Sequence, residues 1–389
     1  MKRSMRGAAL LAAVLVAFSG YGSRSRAEET ANGTPEVSAE SAILIEAATG
    51  TVLYEKNADE PVDMAGAVKI MSGLLVAEAL ESGTLQEEQE IAVSGSAAGA
   101  GGMSAFLDRG ESYPAGTLFD AMMMISANDA CLALAEAVSG SAEGFVQAMN
   151  ERARALSVAP VFVNPTGHNA EGQAMTAREA AIIARELAGH ARALEAAKVY
   201  SDTLVHSDGR ETELVNPNRL VRFYSGCDGL ATGSNSTAGY SGVFTAEREG
   251  ERYIAVVAGA RNSDARSADA QALLDYAFDN FETVVAIEEG KGVARDVAVT
   301  GGRQKTVHGV AGQTCRLVVP KGSAGQITKE VTLFGTPEAP VARGAELGEL
   351  TVKMEGEVVA RVPVVAVEAV EKATVLSGIR AMMLCWIGC

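Results

Sequence analysis

The stretch Asp63-Met64-Ala65-Gly66-Ala67-Val68-Lys69-Ile70-Met71-Ser72 runs straight on into the apolar Gly73-Leu74-Leu75-Val76-Ala77-Glu78-Ala79-Leu80. Ile70, Leu74, Ala77 and Leu80 recur at helical spacing and fall near one stripe. That spacing predicts a buried helix with Lys69 in its first turns. A lysine entering an apolar helix costs free energy unless it reaches water, meets a partner or has chemistry to perform. Taken alone, the stretch fits either a snorkelling side chain at a helix start or a working amine. Two stretches further down the chain bear on that choice.

At 389 residues the chain exceeds one average domain, and two are expected after processing. Residues 1–27 read as a secretory signal peptide. Lys2, Arg3 and Arg6 precede an apolar run over 8–18 that is short for a bilayer span, and small residues lead to Ser25-Arg26-Ala27, with cleavage expected after Ala27. No cysteine lies there, which argues against a lipoprotein anchor. Its removal takes the formal charge from -16 to -21, with 28 basic residues against 49 acidic. Such a surface repels nucleic acid and anionic lipid, so no nucleic-acid partner is expected. Cys131, Cys227, Cys315, Cys385 and Cys389 show no paired spacing and make no disulfide framework. His168, His190, His206 and His308 are too dispersed for a metal site, and neither metal nor other cofactor is expected.

Residues 28–40 are polar and expected to be loose. Ser41-Ala42-Ile43-Leu44-Ile45-Glu46 and Thr51-Val52-Leu53-Tyr54-Glu55, parted by Ala48-Thr49-Gly50, read as a hairpin. The helix of Lys69 follows. Residues 94–103, repetitive in Gly and Ala, read as a flexible surface connector. Helical patterns cover 118–126, 128–138, 142–156 and 176–187, the last with Thr176 and Glu179 spaced as a capping box. Phe162-Val163-Asn164-Pro165-Thr166-Gly167 reads as a strand entering a turn. Two extended runs, 239–246 and 253–260, flank the turn Glu247-Arg248-Glu249-Gly250, and a helix is predicted over 267–281.

Strands at both ends with helices between them predict one α+β domain on an antiparallel sheet over 41–284. From 285 to 367, short β-type runs alternate with Gly and Pro turns, predicting a small all-β domain. Over 368–389, an amphipathic helix places Val375, Ile379, Met382, Met383, Trp386 and Ile387 on one face. It suits a membrane anchor, or a terminal helix docked on its own protein.

Three short stretches fall in a telling order: Gly66-Ala67-Val68-Lys69, Ser126-Ala127-Asn128 and Ala231-Thr232-Gly233. With Asn164-Pro165-Thr166-Gly167, Asn218-Arg219-Leu220 and Ala238-Gly239-Tyr240, they make the chain resemble the low-molecular-weight penicillin-binding proteins. These are the serine D-Ala-D-Ala carboxypeptidases, whose signature is S-x-x-K, S-x-N and K-T-G. The resemblance covers residues 40 to about 280 and extends to the later β domain and terminal helix. It implies a β-lactamase/transpeptidase-like fold and a peptidoglycan stem peptide ending in D-Ala-D-Ala as ligand. In such a site a serine three residues before a lysine shares its helix face, so the amine can take the hydroxyl proton. The S-x-N residues relay protons and hold the substrate backbone. The K-T-G strand docks the peptide as an added strand and holds its carboxylate. Backbone N–H groups, here those of Gly66 and Ser234, form the oxyanion hole.

The chain departs from this pattern at two chemically decisive positions. Gly66 stands where the nucleophilic serine belongs, and Ala231 stands where the third motif has its lysine. No serine lies three residues before any lysine, so no displaced copy exists. Lys69, Ser126, Asn128, Thr232, Gly233 and Ser234 remain. Losing the nucleophile of a covalent mechanism removes a factor of about a million. The resemblance therefore implies a family member that binds stem peptides or a wall partner without cleaving them, and that takes β-lactams only weakly and without a covalent bond. Two alternatives stand beside it: a residual carboxypeptidase in which Lys69 activates water, and a β-lactamase-like hydrolase, which needs the same missing serine. Without a lysine at 231 to repel it, the Lys69 amine is expected to be protonated at neutral pH. Ser72, Cys131 and Cys227 read as packing residues and His168 as a loop residue.

Overall fold

The computed structural model describes residues 33–168 and 170–374. The expected signal peptide lies outside the described residues, as does the terminal helix beyond residue 374. Residues 370 and 372, where that helix was expected to begin, instead form bridges with Val341 and Gly302.

The chain opens with β1 (Ser41–Glu46) and β2 (Val52–Lys56). A 3-10 turn over Ala65–Val68 leads into α1 (Lys69–Glu81), followed by β3 (Glu90–Ala92), α2 (Gly95–Ala98) and β4 (Ser112–Pro114). Next come α3 (Ala115–Ile125), α4 (Asn128–Ser139), α5 (Ala142–Ala155), α6 (Ala177–Leu187) and α7 (Ala191–Ala197). The hairpin β5 (Ser201–Val205) and β6 (Glu211–Val215) precedes α8 (Leu220–Phe223). Then β7 (Cys227–Asn235), β8 (Gly239–Arg248), β9 (Glu251–Ala260) and α9 (Ser263–Asn280) complete the α+β part.

The central sheet is antiparallel in the order β2-β1-β9-β8-β7. Along β9 the side chains divide with period two. Ile254, Val256 and Ala258 join the core under α1 and α6, while Tyr253, Ala255 and Val257 join the core under α9. Both faces are covered, which is why this strand is apolar at nearly every position.

The helix of Lys69 forms as the spacing predicts, but it is buried on more than one stripe. It packs against α3, α4, α5, α6, α7 and β7, and Lys69 through Leu74 are all buried. A helix whose first turns are enclosed needs apolar or small residues around its whole circumference there, which a one-stripe pattern understates. The Thr176 capping box forms in both directions, with Glu179 N–H donating to Thr176 Oγ1 at 3.1 Å and Thr176 N–H to Glu179 Oε2 at 2.8 Å.

Residues near the start of the described chain are not loose. Asp269 on α9 accepts from Ser38 N–H, Ser38 Oγ and Ala39 N–H at 2.8–3.0 Å, and Lys56 donates to the carbonyls of Val37 and Ala39. A buried carboxylate a long way down the chain holds the segment, and local polarity does not reveal that.

The remaining strands are β10 (Phe281–Ile287), β11 (Gly292–Ala298), β12 (Thr306–Ala311), β13 (Cys315–Pro320), β14 (Ile327–Leu333), β15 (Glu346–Met354) and β16 (Glu357–Ala366). β10 pairs with β13, and the other five form a sheet in the order β11-β12-β16-β15-β14. β10 runs across residue 284: Phe281 belongs to the core under α9, and Ala286 and Ile287 to a third core shared by these strands. No helix among the described residues is long and apolar enough to cross a membrane.

Candidate functional site

Three chain segments converge at the start of α1. The first is the 3-10 turn over Ala65–Val68. Asp63 holds its front: Asp63 Oδ1 accepts from Ala65 N–H at 2.7 Å, and Asp63 Oδ2 accepts from Asn235 Nδ2 at 2.6 Å. That second bond ties the turn to the end of β7. The strand passes so close that a Cβ at Gly233 would run into the backbone nitrogens of Gly66 and Ala67, so only glycine fits there.

Lys69 follows at the start of α1, 2% exposed. Its Nζ donates to the carbonyl of Thr166 at 2.8 Å. Burial pushes the amine down to about 8, against the opposing pull of nearby Cys131 and Asp129. Asn164 shapes the turn that presents that carbonyl. Its Oδ1 accepts from Thr166 N–H, Thr166 Oγ1 and Gly167 N–H. The same turn offers Pro165 O to Ser72 Oγ at 2.7 Å, so Ser72 anchors the turn as well as packing.

The second segment is the α3–α4 junction. Ser126 closes α3 in the left-handed region at φ 62°. Its Oγ is buried and has no hydrogen-bond partner among the described residues. Asn128 opens α4: its N–H donates to Met103 O at 2.7 Å and its Nδ2 to Gly101 O at 2.8 Å. Asp129 beside it accepts from Ser104 Oγ, Ala105 N–H, Leu107 N–H and Ala130 N–H. The Gly- and Ala-rich stretch expected to be a flexible connector is thereby fixed as a wall of the site. It includes α2, and a Cβ at Gly102 would meet Asn128 Nδ2 at 2.7 Å and His168 Nδ1 at 2.9 Å. Its small residues serve close approach, which composition alone cannot distinguish from looseness.

The third segment is β7. Thr232 is buried, Gly233 half-buried and Ser234 exposed, while the Ala231 methyl sits in the core shared with α1 and α3. Together the three segments line a cavity of about 590 Å³ that holds Gly66, Lys69, Ser126, Asn128, Thr232, Gly233 and Ser234. Ala231 does not line it. A Cβ built on Gly66 would stand 3.4 Å from Lys69 Nζ, 3.4 Å from Ser126 Oγ and 3.3 Å from Thr232 O. A serine side chain there would point between the amine and the second hydroxyl. Glycine leaves that place without a nucleophile.

Arg266 on α9 also lines the cavity, and nothing in its local sequence singles it out. It is 3% exposed, and its Nη2 donates to Pro217 O at 3.3 Å. Its Nε is buried without a partner among the described residues, and burial pulls the guanidinium down to about 10. It thus offers the cavity a cation that Ala231 does not. A second cavity of about 320 Å³ lies between α3 and the β5–β6 hairpin, lined by Tyr113, Asp120 and Asp202 and by none of the motif residues. Among the described residues no group of three or more His, Cys, Asp or Glu could hold a metal ion.

An α+β domain with a lysine, a serine-asparagine junction and an edge strand around one cleft, followed by a small β domain, defines a penicillin-binding architecture. The chain belongs to the D-alanyl-D-alanine carboxypeptidase family of peptidoglycan metabolism: that family's profile matches residues 28–262, and the C-terminal domain of penicillin-binding protein 5 matches 281–372. It is similar to the D-alanyl-D-alanine carboxypeptidase DacF of Bacillus subtilis, with 37% identity over 90% of each chain. It is also similar to DacC of Escherichia coli, with 30% identity over 89% of this chain and 87% of that one. Penicillin-binding protein 5 from Haemophilus influenzae superposes with a TM-score of 0.81 at 26% identity, over 88% of this chain and all of that one.

Proposed function

We propose that this chain is a non-catalytic member of its family, exported to the cell envelope, where it holds peptidoglycan stem peptides without cleaving them. The observation that carries this reading is Gly66. The position aimed between Lys69 Nζ and Ser126 Oγ has no side chain to acylate. Lys69, Ser126, Asn128 and the edge of β7 around Thr232, Gly233 and Ser234 are the residues we assign to holding the peptide, with Arg266 taking over the charge that Ala231 lacks. In this reading residues 1–27 are a removed leader, 41–284 form the peptide-binding domain, 285–367 and the bridging residues up to 372 the small β domain, and the terminal segment beyond 374 attaches to the membrane. β-Lactams occupy the cleft weakly and without acylation.

One observation favours a second reading, a slow carboxypeptidase in which water replaces the serine. With its amine brought down to about 8, Lys69 is neutral in about a tenth of molecules at pH 7 and can then accept a proton. Such water is neither tethered nor covalently held, which forfeits much of the gain from proximity. Incubation with a fluorescent penicillin, together with a turnover assay on diacetyl-L-Lys-D-Ala-D-Ala, separates the two. The expected result is no adduct and no D-Ala release. A stable adduct overturns the holding role, and release without an adduct selects the water route.

A further inference from the structure

We propose that the cleft receives the free carboxylate of an already trimmed stem peptide, set between Lys69 and Ser126 in the space that a side chain at Gly66 would fill. This rests on the peptide-holding role and names the end that is held.

The space is defined by what surrounds the absent Cβ. Lys69 Nζ and Ser126 Oγ each lie 3.4 Å from that point. A protonated amine carries three donors, and among the described residues Lys69 spends one, on Thr166 O. The carboxylate beside it, Asp129, is occupied by four donors of its own. Ser126 Oγ is buried with no hydrogen-bond partner among the described residues, which is unfavourable in a finished site. Among the described residues the niche therefore has spare donors on Lys69 and Ser126. Thr232 O, 3.3 Å from the same point, repels an incoming oxygen and so turns it toward the lysine and serine.

A carboxylate supplies two acceptor oxygens and the balancing charge, and charge-assisted bonds of this kind are the stronger class. In an untrimmed peptide seated on β7, the group at this depth is the amide carbonyl between the two terminal residues, which has an acceptor but no charge. Once the last residue is gone, the same carbon bears the free carboxylate. An enzyme with serine at 66 would fill the niche with its own hydroxymethyl group. Here the missing side chain makes room for the product's charged end.

Titration calorimetry with two probes, diacetyl-L-Lys-D-Ala and diacetyl-L-Lys-D-Ala-D-Ala, tests this on the full mature chain and on Gly66→Ala. The expected result is at least tenfold tighter binding of the trimmed probe to the native chain. Gly66→Ala, which fills the niche with a methyl group, should weaken the trimmed probe about tenfold more than it weakens the untrimmed one. Equal affinities, a preference for the untrimmed probe, or a trimmed-probe affinity insensitive to Gly66→Ala would overturn the inference while the peptide-holding role stands. Absence of binding by either probe at millimolar concentration would overturn both.

Discussion

On the proposed reading, serine at 66 together with lysine at 231 should give this cleft covalent chemistry. At Gly66 the backbone lies outside the left-handed region, so serine is conformationally allowed. Its Cβ would meet neighbours at 3.3–3.4 Å, close enough that they must give by a few tenths of an ångström. Replacing glycine stabilises by about 0.4–1 kcal/mol through the unfolded chain, and this crowding costs a similar amount, so the net change should stay within about 1 kcal/mol. Ala231→Lys is harsher, because position 231 is 8% exposed and lies in the core shared with α1. Placing an ammonium there costs on the order of a few kcal/mol. In return it adds a further cation close to Lys69, which should draw the Lys69 amine below its present value of about 8 and enlarge the fraction able to accept a proton. Since loss of a nucleophile removes about a millionfold in rate, on the proposed reading even a small recovery is measurable against the native chain. The assay is intact-protein mass after incubation with benzylpenicillin, with peptide mapping of the adduct. The expected result is a stoichiometric adduct on residue 66 of the double variant and none on the native chain. A folded double variant with no adduct would refute the reasoning, because it would mean that the groove no longer places a β-lactam carbonyl at this position.

Arg266→Met should raise the chemical-denaturation midpoint, by about 1–3 kcal/mol of stability, because it removes a buried cation whose Nε has no partner, and at the same time weaken binding of the carboxylate-bearing probes. Asp129→Ala should destabilise by about 3 kcal/mol or more in urea unfolding, since it strands the donors at 104–107, and peptide binding should fall with the loss of that wall. Lys69 has a folded-state pKa of about 8, below its ordinary 10.5, so between those two pH values the unfolded chain binds a proton that the folded chain has released. The Lys69 contribution to stability therefore rises with pH across that window, by on the order of 3 kcal/mol, and the difference between native and Lys69→Met unfolding curves measured from pH 7 to 10.5 should show it.

Much of the fold is legible in sequence where periodicity and a chemical signal coincide. The β1–β2 hairpin, the capped start of α6 and the β8–β9 hairpin each combine alternating or helical spacing with turn or cap residues. The signal fails where only one of these is present. β10 (FETVVAI) follows α9 directly and has no punctuation to separate strand from helix. In β12, His308-Gly309 breaks the alternation that marks a strand. The β5–β6 hairpin is short, exposed on most positions and rich in charge, so it resembles a loop until its backbone pairing is seen. The bonds of Asp269 to Ser38 and Ala39 span more than half of the chain, and no local window contains them.

The site divides along a related line. Residues whose chemistry depends on a fixed local spacing, Lys69 with Gly66 and Ser126 with Asn128, can be found from the chain alone. Residues that act through position alone cannot. Arg266 reaches the cavity because α9 crosses the far side of the sheet from α1 and runs its first turn past the end of β8, and only the packing brings them together. The glycines of 99–102 carry the opposite lesson. Their composition signals freedom, yet Asn128 and Asp129 hold that segment at five points between residues 101 and 107. Asn128 therefore gives one amide N–H to Gly101 while its side chain also lines the cavity. A peptide that binds here either meets the rest of that amide or leaves Asn128 as part of the wall. If Asn128 serves the wall, Asn128→Ala should loosen the loop and lower stability while weakening the trimmed and untrimmed probes equally. If the amide reaches the peptide backbone, both should weaken with stability nearly unchanged.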